Sequence, residues 1–230
     1  MLFRLFAGVL AGCILFITVA QAQTAVPPRD DHQFWHETQI VKPLDEAKTK
    51  NLVFIGILRT GRELHRPVDE RIGAGVSLRF KKYFTFMPFY LYTDQQPFAG
   101  RHINEHRLVA ELTIKVPVGK FTFTDRNRYE RRVRHRERDF GVYRNRLFID
   151  HPAKLGSFAF KPFIGAEIFY STQTTGGRPQ DLVRVRYLAG INKQITSQLY
   201  GEVFYVRQQD GVARPGNVHA VGTFLRYTLK

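Results

Sequence analysis

The chain has 230 residues, with 35 lysines and arginines against 20 acids, for a net charge of +15. Its single cysteine, Cys13, lies in the N-terminal apolar segment, which excludes an intrachain disulfide framework. A basic excess of this size would suggest nucleic acid in a cytosolic chain. Here an export signal precedes the basic residues, and most of them alternate with apolar ones, so no nucleic acid partner is expected.

Residues 1–22 read as a secretory signal. Arg4 supplies the positive n-region, Leu5 to Ala20 form the apolar run, and Ala20-Gln21-Ala22 is an A-x-A cleavage site. Leu10-Ala11-Gly12-Cys13 also resembles a lipoprotein box, but its use would leave the apolar Ile14–Ala20 at the mature N-terminus. Cleavage after Ala22 is the expectation, which removes Cys13. Residues 23–31 follow as a Pro-containing periplasmic leader. Beyond it no run approaches the roughly 18 apolar residues of a membrane-spanning helix.

Eleven strand-like segments occupy 32–230: 32–42, 51–60, 71–81, 83–93, 101–116, 119–132, 141–150, 158–170, 182–192, 195–207 and 217–229. In 71–81, Arg71, Gly73, Gly75, Ser77, Arg79 and Lys81 alternate with Ile72, Ala74, Val76, Leu78 and Phe80. In 101–116, Arg101, Glu105, Arg107, Glu111 and Lys115 share one parity. Leu108, Ala110, Leu112, Ile114 and Val116 take the other. In 119–132, Thr122, Thr124, Arg126, Arg128, Glu130 and Arg132 oppose Phe121 and Phe123. Segment 182–192 sets Arg184 and Arg186 against Val183, Val185, Tyr187, Ala189 and Ile191. Successive side chains of a strand point to opposite faces, so each such strand is charged on one side and greasy on the other. Segments 51–60 and 83–93 are apolar on both faces, which leaves their orientation open.

Behind an export signal, this repeated pattern predicts an all-β fold: a membrane-spanning antiparallel up-and-down β-barrel. Its apolar face would meet lipid and its charged face a lumen. Short breaks at 81–82, 117–120 and 192–194, with a somewhat longer one at 151–157, alternate with longer ones at 61–70, 94–100, 133–140, 171–181 and 208–216. That matches periplasmic turns and outer loops. Bacterial single-chain barrels have even strand numbers and both termini on the periplasmic side, so ten to twelve strands are expected, with ten or twelve preferred. Segment 32–42 is then either an extra element or one strand of twelve. Phe84, Phe86, Tyr90, Tyr92, Tyr187, Tyr205 and Tyr227 read as girdle aromatics.

The order of short motifs resembles the uncharacterised outer-membrane family known as domain of unknown function 2490 (DUF2490). The motifs are Phe34-Trp35-His36-Glu37, Glu105-x-Arg107, Arg126-x-Arg128-x-Glu130-x-Arg132, Arg144-x-Arg146, Glu167-x-Phe169, Arg186 to Gly190, and Asn217-Val218-His219. In this chain Val185-Arg186 stands where an Asn-Arg pair is usual, and Val218 separates Asn217 from His219. The resemblance covers nearly all of the chain after the signal. It implies an integral barrel in the outer membrane of a Gram-negative bacterium and no established activity; the size and arginine content are also porin-like.

In barrel register Glu105, Arg107, Arg126, Arg128, Glu130, Arg144, Arg146, Glu167, Arg184 and Arg186 are expected to form one charged lumen belt, because neighbouring strands lie about 4.8 Å apart. Two readings of the belt follow. Paired arginines and carboxylates brace a closed lumen, or the arginine surplus attracts a small anionic solute to an anion-selective pore. Lipid modification would need a Ser near a His with an orienting group. No such motif is found, so no enzyme is expected, and His102, His106 and His219 lack metal-ligand spacing with a partner. Neither a cofactor nor a metal is expected. Asn217 and His219 are expected at a strand mouth. Arg131–Arg138 is expected at the outer rim, either solvated or against lipopolysaccharide phosphates, in a monomeric barrel surrounded by outer-membrane lipid.

Overall fold

A computed structural model describes residues 29–134, 139–172, 181–211 and 215–230. The expected signal, leader residues 23–28 and basic-loop residues 135–138 lie outside the described residues. Twelve strands follow in order: β1 (Asp30–Pro43), β2 (Lys50–Gly61), β3 (Arg66–Phe80), β4 (Phe84–Phe98), β5 (Arg101–Val118), β6 (Phe121–Arg134), β7 (Phe140–Asp150), β8 (Ala153–Leu155), β9 (Phe158–Ser171), β10 (Asp181–Gln194), β11 (Leu199–Asp210) and β12 (Asn217–Thr228). The three-residue β8 pairs only with the start of β9. The wall passes from β7 directly to β9. Pairing of β9 with β10 and of β12 with β1 closes the circuit. The fold is a closed barrel of eleven strands.

Eleven lies within the expected range of ten to twelve, but the preference for an even number does not hold. In an up-and-down chain of odd count, the first and last strands run in the same direction. Accordingly β1 and β12 pair in parallel, from Asp30 opposite Asn217 to Val41 opposite Thr228. The other wall pairs are antiparallel. Segment 32–42 is therefore a full wall strand whose second partner is the C-terminal strand. A further consequence corrects the expectation for the ends. β1 starts at one rim while β12 finishes at the other, so they do not share a side. Asp30 and Asp31, assigned to the leader by sequence, already belong to β1.

Short turns gather at the rim where β1 ends. At the opposite rim two of the expected long loops shrink to 62–65 and 99–100, because β3, β4 and β5 extend past the apolar band. Asp69-Glu70 and Asp94-Gln95-Gln96 are polar on both parities, so their strand character leaves no apolar alternation to read. Gly119 takes φ +61° in the two-residue β5–β6 turn, a left-handed conformation glycine adopts without Cβ strain. In the β1–β2 turn the Thr49 hydroxyl donates to Asp45 Oδ2 at 2.5 Å, and the Lys50 amide donates to Oδ1 at 2.7 Å. These two bonds hold the exposed Asp45 carboxyl below the usual carboxylate range.

The pleat separates two environments. Ile72, Leu108, Ile164, Val203 and Val221 stand exposed on the outer wall. Inside, two apolar clusters fill the lumen. One comprises Trp35, Phe163, Leu188, Val206, Val218 and Ala220; the other comprises Val53, Ile55, Phe89, Leu91 and Val109. The two-sided apolar segments 51–60 and 83–93 are thereby explained. β2 and β4 line the greasy part of the lumen on one face and present Phe54, Leu58, Tyr90 and Tyr92 outward on the other.

Candidate functional site

The charged parity of β5, β6, β7, β9 and β10 faces the lumen. Because residues i and i+2 share a face, Glu105 lies beside Arg107 and accepts from its Nε at 3.0 Å and its Nη2 at 2.8 Å. The other Glu105 oxygen accepts from Arg134 Nε at 3.0 Å. Glu130 has no exposed surface and gathers Arg132 and Arg144 at 2.5 Å each, with Arg128 at 3.7 Å and Arg107 at 3.8 Å. Glu167 takes Arg144 at 2.8 Å and Arg126 at 2.9 Å on Oε1, and Arg186 at 3.2 Å on Oε2. One continuous network thus runs from β5 to β10.

Trp35 carries the ring further. Its indole lies under the Arg59 guanidinium at 4.0 Å and the Arg186 guanidinium at 4.7 Å. Arg59 meets Asp69 at 3.3 Å, and Asp69 accepts from Arg71 Nε at 2.8 Å. The belt therefore returns to β3 by way of β1 and β2. Guanidinium suits this role because its planar fork serves two carboxylates while its face stacks on an aromatic ring.

All ten sequence-named belt residues point inward, and nine join ion pairs. Arg184 stands slightly apart, at the last position before a register shift in β10, and donates to Asp210 at 2.6 Å. Arg146 is the exception, with no ion pair among the described residues; its guanidinium lies 5.6 Å over Phe148. Sequence reading left Trp35, Arg59, Asp69, Arg71, Glu111, Arg132, Arg134 and Asp210 out of the belt. Glu111 and Arg71 carried the right parity and could have been included. Asp69 lay in a stretch read as loop, and Arg59 in a strand of unassigned orientation.

Asn217 and His219 sit at the start of β12, on the outer parity. Asn217 Nδ2 donates to Asp30 Oδ1 at 2.7 Å across the parallel seam, and His219 Nδ1 lies 2.5 Å from the Tyr205 hydroxyl. Tyr90 makes the like contact with His106 at 2.6 Å. Two polar groups on the outer wall escaped notice in the sequence. His36 contacts Thr38 at 2.7 Å and Thr223 at 2.8 Å. Asp125 accepts from Asn127 at 2.9 Å and Asn145 at 2.6 Å. Their signal was polar residues on the greasy parity.

A family model described as "Protein of unknown function (DUF2490)" matches residues 32–218. The chain belongs to this family. The matched span of this DUF2490 chain runs from β1 to the first residues of β12 and contains every belt residue. Among curated proteins none matches it. A solved structure described as "NanC porin structure in rhombohedral crystal form" is similar at 9% identity and a TM-score of 0.47, over 86% of this chain and 99% of that one.

Chemically the belt offers ion pairing and hydrogen-bond donation. Glu105, Glu130 and Glu167 have almost no exposure, and Arg107 and Arg186 are 1% and 3% exposed. Among the described residues no group of three His, Cys, Asp or Glu could hold a metal ion.

Proposed function

We propose that this protein is an integral outer-membrane barrel whose lumen is shut by its own side chains, with the Arg/Glu belt acting as a brace across it. The carrying observation is the burial of Glu105, Arg107, Glu130 and Glu167, at 0, 1, 0 and 2% exposure, within one interlocked set of ion pairs. An open anion filter needs arginines whose donors face water and are available to a passing ion. Here most donors are already engaged by protein carboxylates. Beside the belt, Trp35, Phe163, Leu188 and Val206 form an apolar plug that a hydrated ion would have to cross.

Membrane placement rests on the outer wall. Ile72, Leu108, Ile164, Val203 and Val221 are unpartnered apolar groups around the whole circumference, as a lipid-facing surface requires. Tyr90, Tyr92, Tyr129, Tyr187 and Tyr205 stand outward near the level of the belt, since Tyr129 adjoins Glu130 and Tyr187 adjoins Arg186 in sequence. They form an interfacial girdle, and the barrel stands as a monomer in Gram-negative outer-membrane lipid, with the signal cleaved after Ala22. Arg131 and its neighbours at the long-loop rim then lie at the depth of lipopolysaccharide phosphates.

Two measurements test this reading. Fractionation should recover the protein in the outer membrane as a heat-modifiable band. Vesicles containing it should swell no faster in small sugars or amino acids than empty vesicles do. Solute-dependent swelling would overturn closure, and recovery in a soluble fraction would overturn the placement.

A further inference from the structure

The β6–β7 ladder brings like charges face to face. Arg126 lies directly opposite Arg146, and Arg128 directly opposite Arg144. Residues so paired have Cβ atoms about 5 Å apart, and like charges there repel. Three of the four arginines are relieved by carboxylates. Arg128 Nε donates to Glu111 at 2.7 Å, Arg144 bridges Glu130 and Glu167, and Arg126 reaches Glu167.

Arg146 feels the Glu167 charge without reaching it. Its register partner on β9 is Glu167, which would be its natural counter-ion. Both oxygens of that carboxylate are taken, however: Oε1 by Arg126 and Arg144, and Oε2 by Arg186. The Nε of Arg146 is buried without an acceptor, and the ion pairs of Glu167 go to Arg126, Arg144 and Arg186 instead. Unlike Arg107 or Arg186, Arg146 is only partly buried. A partly exposed guanidinium with no direct counter-ion, facing a second arginine at 20% exposure, is the chemistry of an anion site.

We propose that Arg146 and Arg126 form a binding site for one small oxyanion, a carboxylate or an inorganic phosphate, inside the closed lumen. The planar fork of Arg146 takes two oxygens of the anion, and Arg126 supplies the second positive group. Phe148 beneath the guanidinium holds Arg146 in place. The anion adds negative charge at a corner of the belt where four arginines crowd one carboxylate. The site rests on the closed-barrel reading only in being a terminus, not a point on a through-path. Conductance and binding therefore fail separately.

The test is equilibrium dialysis of the purified, folded full barrel against radiolabelled inorganic phosphate and, separately, radiolabelled acetate, at fixed ionic strength set by chloride. The expected result is saturable binding of at least one of the two, with one anion per barrel. Arg146→Gln should weaken it at least tenfold, and Arg146→Lys should fall between, because it keeps the charge and loses the fork. Arg146→Gln removes a repulsion, so it should still give the heat-modifiable folded band, and Lys81→Gln at the turn rim should bind as wild type does. Absence of saturable binding for both anions up to about a hundredfold excess over protein would overturn the proposal. Binding unchanged in folded Arg146→Gln would do the same.

Discussion

Glu130 and Arg144 meet at 2.5 Å although neither is the other's register partner: Glu130 stands opposite Val142, and Arg144 stands opposite Arg128. The pairing is diagonal. A lumen residue pairs toward the barrel axis with whichever opposite charge lies within arm's reach, so the belt is a mesh and not a set of rungs. In the mesh Glu130 contacts four arginines, and its loss would leave buried positive charge uncompensated.

Glu130→Gln should therefore destabilise the barrel by about 3–5 kcal/mol, the cost of removing one partner from a buried ion pair. Urea titration of protein folded into lipid vesicles measures it. A loss under about 1 kcal/mol would mean that the belt is wetter and more exchangeable than its burial implies.

Charge reversal separates neighbours in the same mesh. Arg128→Glu places a third carboxylate between Glu111 and Glu130 and should sharply lower the yield of folded, heat-modifiable protein. Arg146→Gln should fold at least as well as wild type, because Arg146 makes no direct ion pair to abandon. Equal yields for the two variants would contradict the assignment of their partners.

Trp35 is the single tryptophan and a ready probe. It is 7% exposed and faces the lumen between two guanidinium groups. Its fluorescence should resist both aqueous iodide and lipids brominated on their acyl chains. Moving the indole to the outer wall, in a Trp35→Phe/Ile40→Trp variant, should give strong quenching by the brominated lipids. Strong lipid quenching of the native tryptophan would reverse the inside and outside of β1.

Two glycines predict opposite outcomes. At Gly222 a Cβ would strike the ring of Phe204 inside the lumen, so Gly222→Ala should cost about 1–3 kcal/mol. At Gly56, on the outer wall, a Cβ meets nothing within 4 Å, and Gly56→Ala should be tolerated within about 0.5 kcal/mol. The same vesicle titration compares them.

Much of this was legible in the chain because one physical signal recurs. Wherever a strand crosses between lipid and a charged lumen, as β5 does from Glu105 to Glu111, parity alone states which way each side chain points. The belt residues on β5, β6, β7, β9 and β10 could be aligned from it. The signal fades where both faces share one character. β2 and β4 are greasy inside and out, so Arg59 could not be oriented. β3 above Arg71 is polar on both sides, so Asp69 was lost to a loop. Strand parity of the whole barrel is not local at all. It depends on β1 meeting β12 in parallel, and nothing in Phe34-Trp35-His36-Glu37 encodes the direction of a partner more than 180 residues away. Pairing within the mesh was equally hidden: register places Arg146 opposite Glu167, yet three other arginines reach that carboxylate first.

The central claim is closure of the lumen by the belt and the apolar plug. It is tested most directly by planar-bilayer recording of the purified protein over a range of voltages in molar salt. Wild-type protein should leave the membrane silent. Reproducible stepwise, anion-selective currents from wild-type protein would contradict it.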